Sequence, residues 1–527
     1  MTISETVEES ELSVEPELLA GLESIVTTAG PREDRFDVEA PATGTPIGRL
    51  PACGPDDVEE AFDRADFAQT AWADRSVEAR ADVFKRYHDL VIDHNEDLLD
   101  VIQVESGKAR PHAYEEVLDV AITARHYAYR AADYLESEHR DAAIPGLSET
   151  TVHHHPVGVV GIISPWNYPL SLAVSDAIPA LLAGNAVVLK PAEQTSYTAL
   201  KAVELLREAG LPRDAFQVVT GFGEPLGDPL VANADYVCFT GSSATGRIVA
   251  SQAGEHLTDC SLELGGKNPG IVCEDADVER AVDGLIRGCF TNAGQLCISL
   301  ERLYVHEAVH DRFVERFVDE IESLEVGTTY SHDVDVGSLI SEQQLDKVEE
   351  HVAEAEAEGA TVLTGGDARP DIGPYFFEPT VLTDVDESMA LCTEETFGPV
   401  VAVYEWSDED DVVERANDSE YGLNASVWTE DIQRGTALAR RIETGTVNVN
   451  ESYAAAWVAL DAPMGGMKNS GIGRRHGEYG FMKYTEPQTV AVQKHLAMDA
   501  PPGMPYWLYA KVMNKALKVQ RKIPGMR

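Results

Sequence analysis

Apolar and polar positions change texture along the chain. From about 55 to 140, apolar residues recur at intervals of three and four, the spacing of helices with one buried face. Asp56-Asp57 opens one helix, and 79–95 and 113–134 predict two more. From 156, short β-branched runs alternate with helical stretches. Runs 157–163, 186–189, 216–219 and 236–239 read as buried strands. Between and after them lie helices at 172–182, closed by Gly184, at 196–208, ended by Gly210, and at 243–251. A second alternating stretch follows from 268 to 455, with strands near 269–272, 302–305, 400–405 and 446–449. This alternation predicts βαβ units and parallel sheets. The expected fold class is α/β, with two parallel-sheet lobes that divide near 264–267. Residues 148–155 and 487–494 read as lone strands outside both lobes, forming a small arm suited to pairing across subunits.

Charge changes the picture more than size does. The 527 residues carry 91 Asp and Glu against 41 Lys and Arg, a net charge of −50. Such a surface repels nucleic acid and anionic membranes. The acids are spread along the chain, as in a solvated shell suited to high salt, where screening blunts self-repulsion. Residues 500–527 stand apart: Lys511, Lys515, Lys518, Arg521, Lys522 and Arg527 accompany Trp507, Leu508, Val512 and Leu517. A helix packed on its own acidic protein is expected there; a partner, membrane or substrate-entrance contact is the sharper reading. The acidic start lacks the basic and apolar regions of a signal peptide, with one short helix expected around 17–26. No run has the length of a membrane span. Seven scattered cysteines without CxxC spacing argue against a disulfide framework or zinc site and fit a reducing cytoplasm. His153-His154-His155 alternates across a strand, so it cannot present three ligands to one face; no metal is expected.

Seven stretches carry candidate chemistry. Cys297 follows Gly294-Gln295 at the end of an apolar run. A free thiol near pH 7 is only a few per cent thiolate, but that fraction is strongly nucleophilic. It needs a base or an electropositive setting, and taken alone Cys297 reads first as a core cysteine. In Pro165-Trp166-Asn167-Tyr168-Pro169 two prolines stiffen a turn after a strand, so the Asn167 amide is aimed. Beside a thiol it would donate to a developing oxyanion, a contact worth ~100–1,000-fold in rate; otherwise it caps the following helix. Glu263 stands at a strand end before Gly265-Gly266. In a partly apolar cleft such a carboxylate suits a general base; on a surface turn it is ordinary. Thr240-Gly241-Ser242-Ser243-Ala244-Thr245-Gly246 joins a strand to a helix start, where free amides favour a phosphate, though the GxGxxG fingerprint is absent. Gly221-Phe222-Gly223 is a second turn of this kind. Lys190 and Glu193, after a parallel strand, suit the two hydroxyls of a ribose, and Glu395 could serve a second ribose. Solvated charges are the plain alternative.

The combination resembles the aldehyde dehydrogenase superfamily over about 35–495. Stretches 165–169, 190–195, 239–246, 263–267, 294–297, 394–400 and 463–473 occur in that family's order and spacing. Within it the chain looks most like a longer bacterial branch usually labelled succinate-semialdehyde dehydrogenase, on 164–176, 239–247, 292–302, 462–476 and the basic tail ending in Pro524-Gly525. The resemblance implies NAD(P)-dependent oxidation of an aldehyde to a carboxylic acid. Cys297 would attack the aldehyde carbon, Asn167 and the Cys297 N–H would hold the oxyanion, and hydride would pass to the nicotinamide, leaving a thioester. Glu263 would activate the hydrolytic water. Lys190 and Glu193 would grip the adenosine ribose, Ser242 the pyrophosphate, Glu395 the nicotinamide ribose, and Phe397 would pack near the nicotinamide. Trp166, Gly223, Gly241, Gly246 and Leu264 would complete the cofactor site.

The implied division is an acidic extension 1–30, an NAD-binding domain (31–147 and 159–264), a catalytic domain (265–462), an oligomerisation arm (148–158 and 463–499) and the tail 500–527. A homodimer or homotetramer follows from the same likeness. The chain also departs from its relatives. Ser175 and Thr291 stand where well-understood succinate-semialdehyde enzymes use arginines, which predicts a preference for uncharged aldehydes. Glu193 would repel a 2′-phosphate, which predicts NAD over NADP. Arg475 stands where several relatives carry a Glu thought to pass protons outward. Either Glu263 then releases its proton to water directly or another carboxylate serves. A CoA-acylating variant, a catalytically silent binding protein and a thiol protease are the competing readings.

Overall fold

The computed structural model describes residue 19 and residues 21–142, 148–493 and 498–522. Two sheets organise it. The first runs, in spatial order, Gly471–Ile472, Asp259–Glu263, Tyr236–Thr240, Val159–Ile163, Ala186–Lys190 and Phe216–Val218. Its strands are parallel except for Gly471–Ile472, which lies antiparallel to Asp259–Glu263. The second runs Thr361–Thr364, Thr380–Thr383, Val400–Trp406, Leu300–His306, Asn268–Val272, Ser426–Trp428 and Asn448–Val449. Here Thr361–Thr364 is the antiparallel edge. The central strands of both sheets are buried on both faces, so they read as largely apolar runs rather than alternating ones: every residue of Ala186–Lys190 and of Asn268–Val272 is buried. Lys190 and Glu263 both end strands at the carboxyl edge of the first sheet, where open α/β sheets bind ligands.

The helical region resolves into Pro55–Ala73, Val77–Asp93, Asn95–Ser106 and Arg110–Tyr134. Two strands ahead of it, Arg35–Ala40 and Thr45–Pro51, have no counterpart in the sequence reading. The helix expected at 172–182 is broken in two, Pro169–Val174 and Ala177–Ala183. Ser175-Asp176 forms the break, and both side chains are buried in ion and hydrogen-bond contacts.

The two supposedly lone strands are corrected by the structure. Ser148–Pro156 pairs along its length with Thr485–Gln493 of the same chain, and Glu138–Arg140 adds a third strand. From 486 to 493 the outer strand is exposed. The tail forms a helix, Tyr506–Gln520, but no residue of it is buried. The expectation that it packs on its own acidic protein therefore fails: Trp507, on its apolar side, is 67% exposed. Of the expected N-terminal helix, the described part includes a short turn, Glu23–Ile25; residues 1–18 and Pro524-Gly525 lie outside the described residues. No helix among the described residues is long and apolar enough to cross a membrane, and no group of three or more metal-ligating side chains occurs among them.

Candidate active site

The turn that carries Cys297 is held in an unusual backbone shape. The helix Val278–Phe290 stops at Thr291, and three successive residues, Asn292 (φ 54°), Ala293 (φ 53°) and Gly294 (φ 71°), take left-handed conformations. Two of them carry a Cβ, which costs roughly 1–2 kcal/mol each. Buried amides hold the turn. Asn292 Nδ2 donates to the carbonyls of Asn167 (3.0 Å) and Gln295 (3.1 Å). Gln295 Nε2 donates to the carbonyls of Asn292 (3.0 Å) and Ser338 (3.3 Å), and its Oε1 accepts from the Ile340 N–H at 3.0 Å. The Asn292 N–H donates to His112 Nδ1 at 3.1 Å. Burial and the Lys108 charge push that imidazole down to about 3, so it stays neutral and able to accept. A side chain at Gly294 would collide with the Gly398 carbonyl oxygen.

Asn167 reaches the same turn. Its Nδ2 donates to the Gln295 carbonyl at 3.0 Å. Its own carbonyl accepts from Lys108 Nζ at 2.7 Å. Lys108 is buried with Glu116 at 2.6 Å, and Glu116 in turn accepts the Leu170 and Ser171 N–H groups at 2.8 and 3.1 Å. A buried ion pair thus holds the middle of the Pro-Trp-Asn-Tyr-Pro turn and the helix start that follows it.

Glu263 is 8% exposed, and its Oε1 has no hydrogen-bond partner. Burial pushes its carboxyl up to about 7, against the opposing charges of Arg475 and Lys483. Cys297 is half-buried. Its thiol is pushed up to about 12 by burial and by the charges of Glu395 and Glu263, with Arg475 opposing. Cys297 packs against an apolar cluster of Tyr168, Leu296, Ile298, Leu423 and Tyr453, whose rim also holds Leu172 and Met464. The Glu263 carboxylate acts electrostatically on the Cys297 thiol, and the Asn167 amide is bonded two residues before it.

Ser242 caps the helix Ser243–His256 by accepting from the Thr245 N–H at 3.2 Å and is itself exposed. Gly241 precedes it, and Gly246 packs where a Cβ would meet Leu264. Ser242, Ser243, Arg247, Lys347 and Glu395 line a cleft of about 850 Å³. Lys190 Nζ lies 3.2 Å from Glu193 Oε2. Glu395 Oε1 accepts from the Gly266 N–H at 2.8 Å, and its carboxyl is pushed up to about 7 by burial and Glu301. A Cβ at Gly265 would stand 2.6 Å from Glu395 Oε2. Phe397 takes φ 58° and meets Trp166 edge-on at 5.5 Å between ring centroids. Gly223 opens the helix Gly223–Asn233.

An open helix start, a Lys–Glu pair at a strand end and a carboxylate across the cleft together fit a dinucleotide.

Sequence reasoning missed the supports. Glu301 accepts the Thr396 and Phe397 N–H groups at 2.9 and 3.0 Å and pairs with buried Lys267. Asn268 Nδ2 holds the Cys297 carbonyl at 2.8 Å. Adjacent charges, Glu301-Arg302, inside the otherwise apolar run 300–305 were the available signal.

A model of the aldehyde dehydrogenase family matches residues 27–490. The chain belongs to the aldehyde dehydrogenase family. It is 50% identical over 485 residues to a Mycobacterium ulcerans protein provisionally named succinate-semialdehyde dehydrogenase (NADP(+)), covering 92% of this chain and 94% of that one. A provisionally so-named Mycolicibacterium smegmatis protein is 50% identical over 488 residues, covering 93% and 94%. Among solved structures, a betaine aldehyde dehydrogenase variant of Staphylococcus aureus in complex with NAD+ superposes with a TM-score of 0.87 at 32% identity, over 92% of this chain and 99% of that one. A succinate-semialdehyde dehydrogenase of Burkholderia pseudomallei gives 0.84 at 34%, over 88% and 95%. This family member is an aldehyde dehydrogenase that uses a nicotinamide cofactor.

Proposed function

We propose that this aldehyde dehydrogenase oxidises uncharged, largely apolar aldehydes through a thioester on Cys297, with NAD as the preferred cofactor. The Cys297 sulfur attacks the aldehyde carbon. The Asn167 amide and the Cys297 backbone N–H receive the developing oxyanion. Bound nicotinamide supplies the hydride acceptor. Glu263 takes a proton from the water that hydrolyses the thioester. The free Oε1 of Glu263 and its carboxyl near neutrality suit that task.

One observation carries the substrate reading: the group that hydrogen-bonds both tyrosines of the Cys297 cluster is a carboxyl, and the cations over their rings, Lys108 and Arg287, are paired with acids. Glu115 accepts from Tyr453 Oη at 2.9 Å and Tyr168 Oη at 3.4 Å. Ser175, where an arginine was conceivable, donates to Asp119 at 2.7 Å, and Thr291 shares a hydrogen bond with Tyr453 at 3.2 Å. Nearby cations are engaged: Lys108 with Glu116, Arg287 with Glu451 and Arg475 with Asp176. A substrate carboxylate here would lack a partner, at a cost of several kcal/mol. Farther along the helix of Glu115, Leu118 and Ile122 join Val458 and Leu460 in lining a depression of about 730 Å³. Comparing kcat/KM for hexanal and succinate semialdehyde tests the reading. A clear preference for hexanal supports it; equal or better use of the semialdehyde overturns it.

The NAD preference rests on Glu193, whose carboxylate beside Lys190 repels a 2′-phosphate. The mycobacterial relatives carry NADP(+) in their names, so this is a point on which the chain would differ from them. The three-stranded arm, exposed along 486–493, suits pairing with a second copy in a homodimer or homotetramer, which sedimentation would test.

A further inference from the structure

The proposed chemistry leaves one buried charge cluster unused. Arg475 Nε lies 3.1 Å from Asp176 Oδ2, and Lys483 Nζ lies 3.1 Å from Asp176 Oδ1. Tyr484 Oη donates to the same Oδ1 at 3.2 Å. Asp176 is 3% exposed. The cluster is tied to the site through backbone. The Arg475 N–H donates to the Met464 carbonyl at 2.6 Å, and the Met464 N–H returns a bond to the Arg475 carbonyl at 2.9 Å. Met464 and Cys297 both pack against one apolar cluster that includes Tyr168 and Tyr453. At Gly465, the next residue, a Cβ would stand 3.0 Å from Glu263 Oε1. Lys483 also donates to Ser261 Oγ at 3.1 Å, two residues before Glu263 on the same strand.

Charge counting gives the cluster a purpose. Arg475 and Lys483 are positive and Asp176 is negative, which leaves one positive charge in surplus. A guanidinium does not deprotonate in proteins, so Arg475 cannot carry a proton outward. The groups that feel it are Asp176, Glu263, Asp119 and Cys238 on one side and the Cys297 sulfur on the other. Glu263 also faces Lys483 and Arg474 as cations and Asp176 as an anion. Against burial that would raise it, Arg475 and Lys483 hold Asp176 well below the usual carboxylate range. Burial pushes Asp119 upward, and burial and Arg475 push His476 down to about 3. His476 is therefore neutral near pH 7 and adds no charge to the cluster.

We propose that Arg475, locked in place by Asp176, is a positioning residue: a fixed counter-charge that makes negative charge tolerable first on the Cys297 sulfur and then on the Glu263 carboxylate. The triad's surplus charge acts on both groups that turn anionic in the reaction, the thiolate in attack and the carboxylate in hydrolysis. The proposal rests on the roles given above to Cys297 and Glu263.

The test uses two pH profiles on the full-length enzyme: the rate of Cys297 alkylation by iodoacetamide, read by mass spectrometry, and the rate of thioester hydrolysis after a first turnover. Arg475→Gln is expected to move both profiles to higher pH by about one unit, with Arg475→Lys restoring them. Asp176→Asn removes a negative neighbour of Glu263, so its hydrolysis profile should move to lower pH. A merely structural role would not shift the two substitutions in opposite directions. Unmoved profiles in Arg475→Gln, or a hydrolysis profile unmoved or raised in Asp176→Asn, overturn the proposal. If Arg475→Gln does not fold, Asp176→Asn alone decides. Failure of the underlying roles reads differently: alkylation elsewhere than Cys297, or hydrolysis that survives Glu263→Gln.

Discussion

The Asn167 side-chain amide donates to the carbonyl oxygen of Gln295 at 3.0 Å, two residues before Cys297. An amide has two N–H groups. This bond commits one and fixes the plane of the other. The Asn167 main chain is fixed from the opposite side by Lys108 and Asn292. Asn167→Ala should therefore lower kcat by ~100–1,000-fold, with little loss of stability. Single-turnover NADH formation would show it; a loss below tenfold would remove Asn167 from the oxyanion role.

Glu263 works as a base only when ionised, and burial lifts its carboxyl to about 7. Hydrolysis should therefore rise as pH climbs through 7 and fall below it, where the carboxyl is protonated. Glu263→Gln should keep a first burst of NADH and lose steady turnover. Undiminished steady turnover would contradict this.

Glu193→Ser should narrow the preference for NAD over NADP, read as the ratio of kcat/KM for the two cofactors. An unchanged ratio would show that the Lys190–Glu193 pair does not read the 2′ position.

Lys108 and Glu116 form a buried pair under the Asn167 turn. Lys108→Met leaves Glu116 without its cation, and breaking such a pair costs about 3–5 kcal/mol. A clear drop in Tm is expected, with a fall in kcat because the Asn167 carbonyl loses a donor.

At a net charge of −50, self-repulsion should destabilise the fold when salt is low. Raising KCl from ~0.1 to ~1 M shortens the screening length from about 10 to 3 Å, and Tm should rise with it. A flat response would remove the high-salt reading of the acidic surface.

What could be read from the chain follows from sequence range. Lys190, Glu263 and the Gly241-Ser242 turn sit at strand ends or helix starts, and local pattern alone places them there. Gly471–Ile472 was invisible because two residues carry no periodicity; only its partner Asp259–Glu263 makes it a strand. The arm strands were legible, but their pairing with each other was not, because Ser148 and Gln493 are partners only through the folded chain. Lys108, Asp176 and Glu301 escaped notice for the same reason. A charge in sequence looks solvated until a distant partner such as Glu116, Arg475 or Lys267 is brought to it. The left-handed Asn292 and Ala293 were equally hidden, since neither residue type favours that backbone as glycine does.

The most direct test is to trap the covalent intermediate. Glu263→Gln enzyme, mixed with hexanal and NAD and quenched in acid, should carry one hexanoyl group on the peptide containing Cys297, and Cys297→Ala should carry none. An acyl group on a different residue, or an NADH burst that survives in Cys297→Ala, would contradict the account.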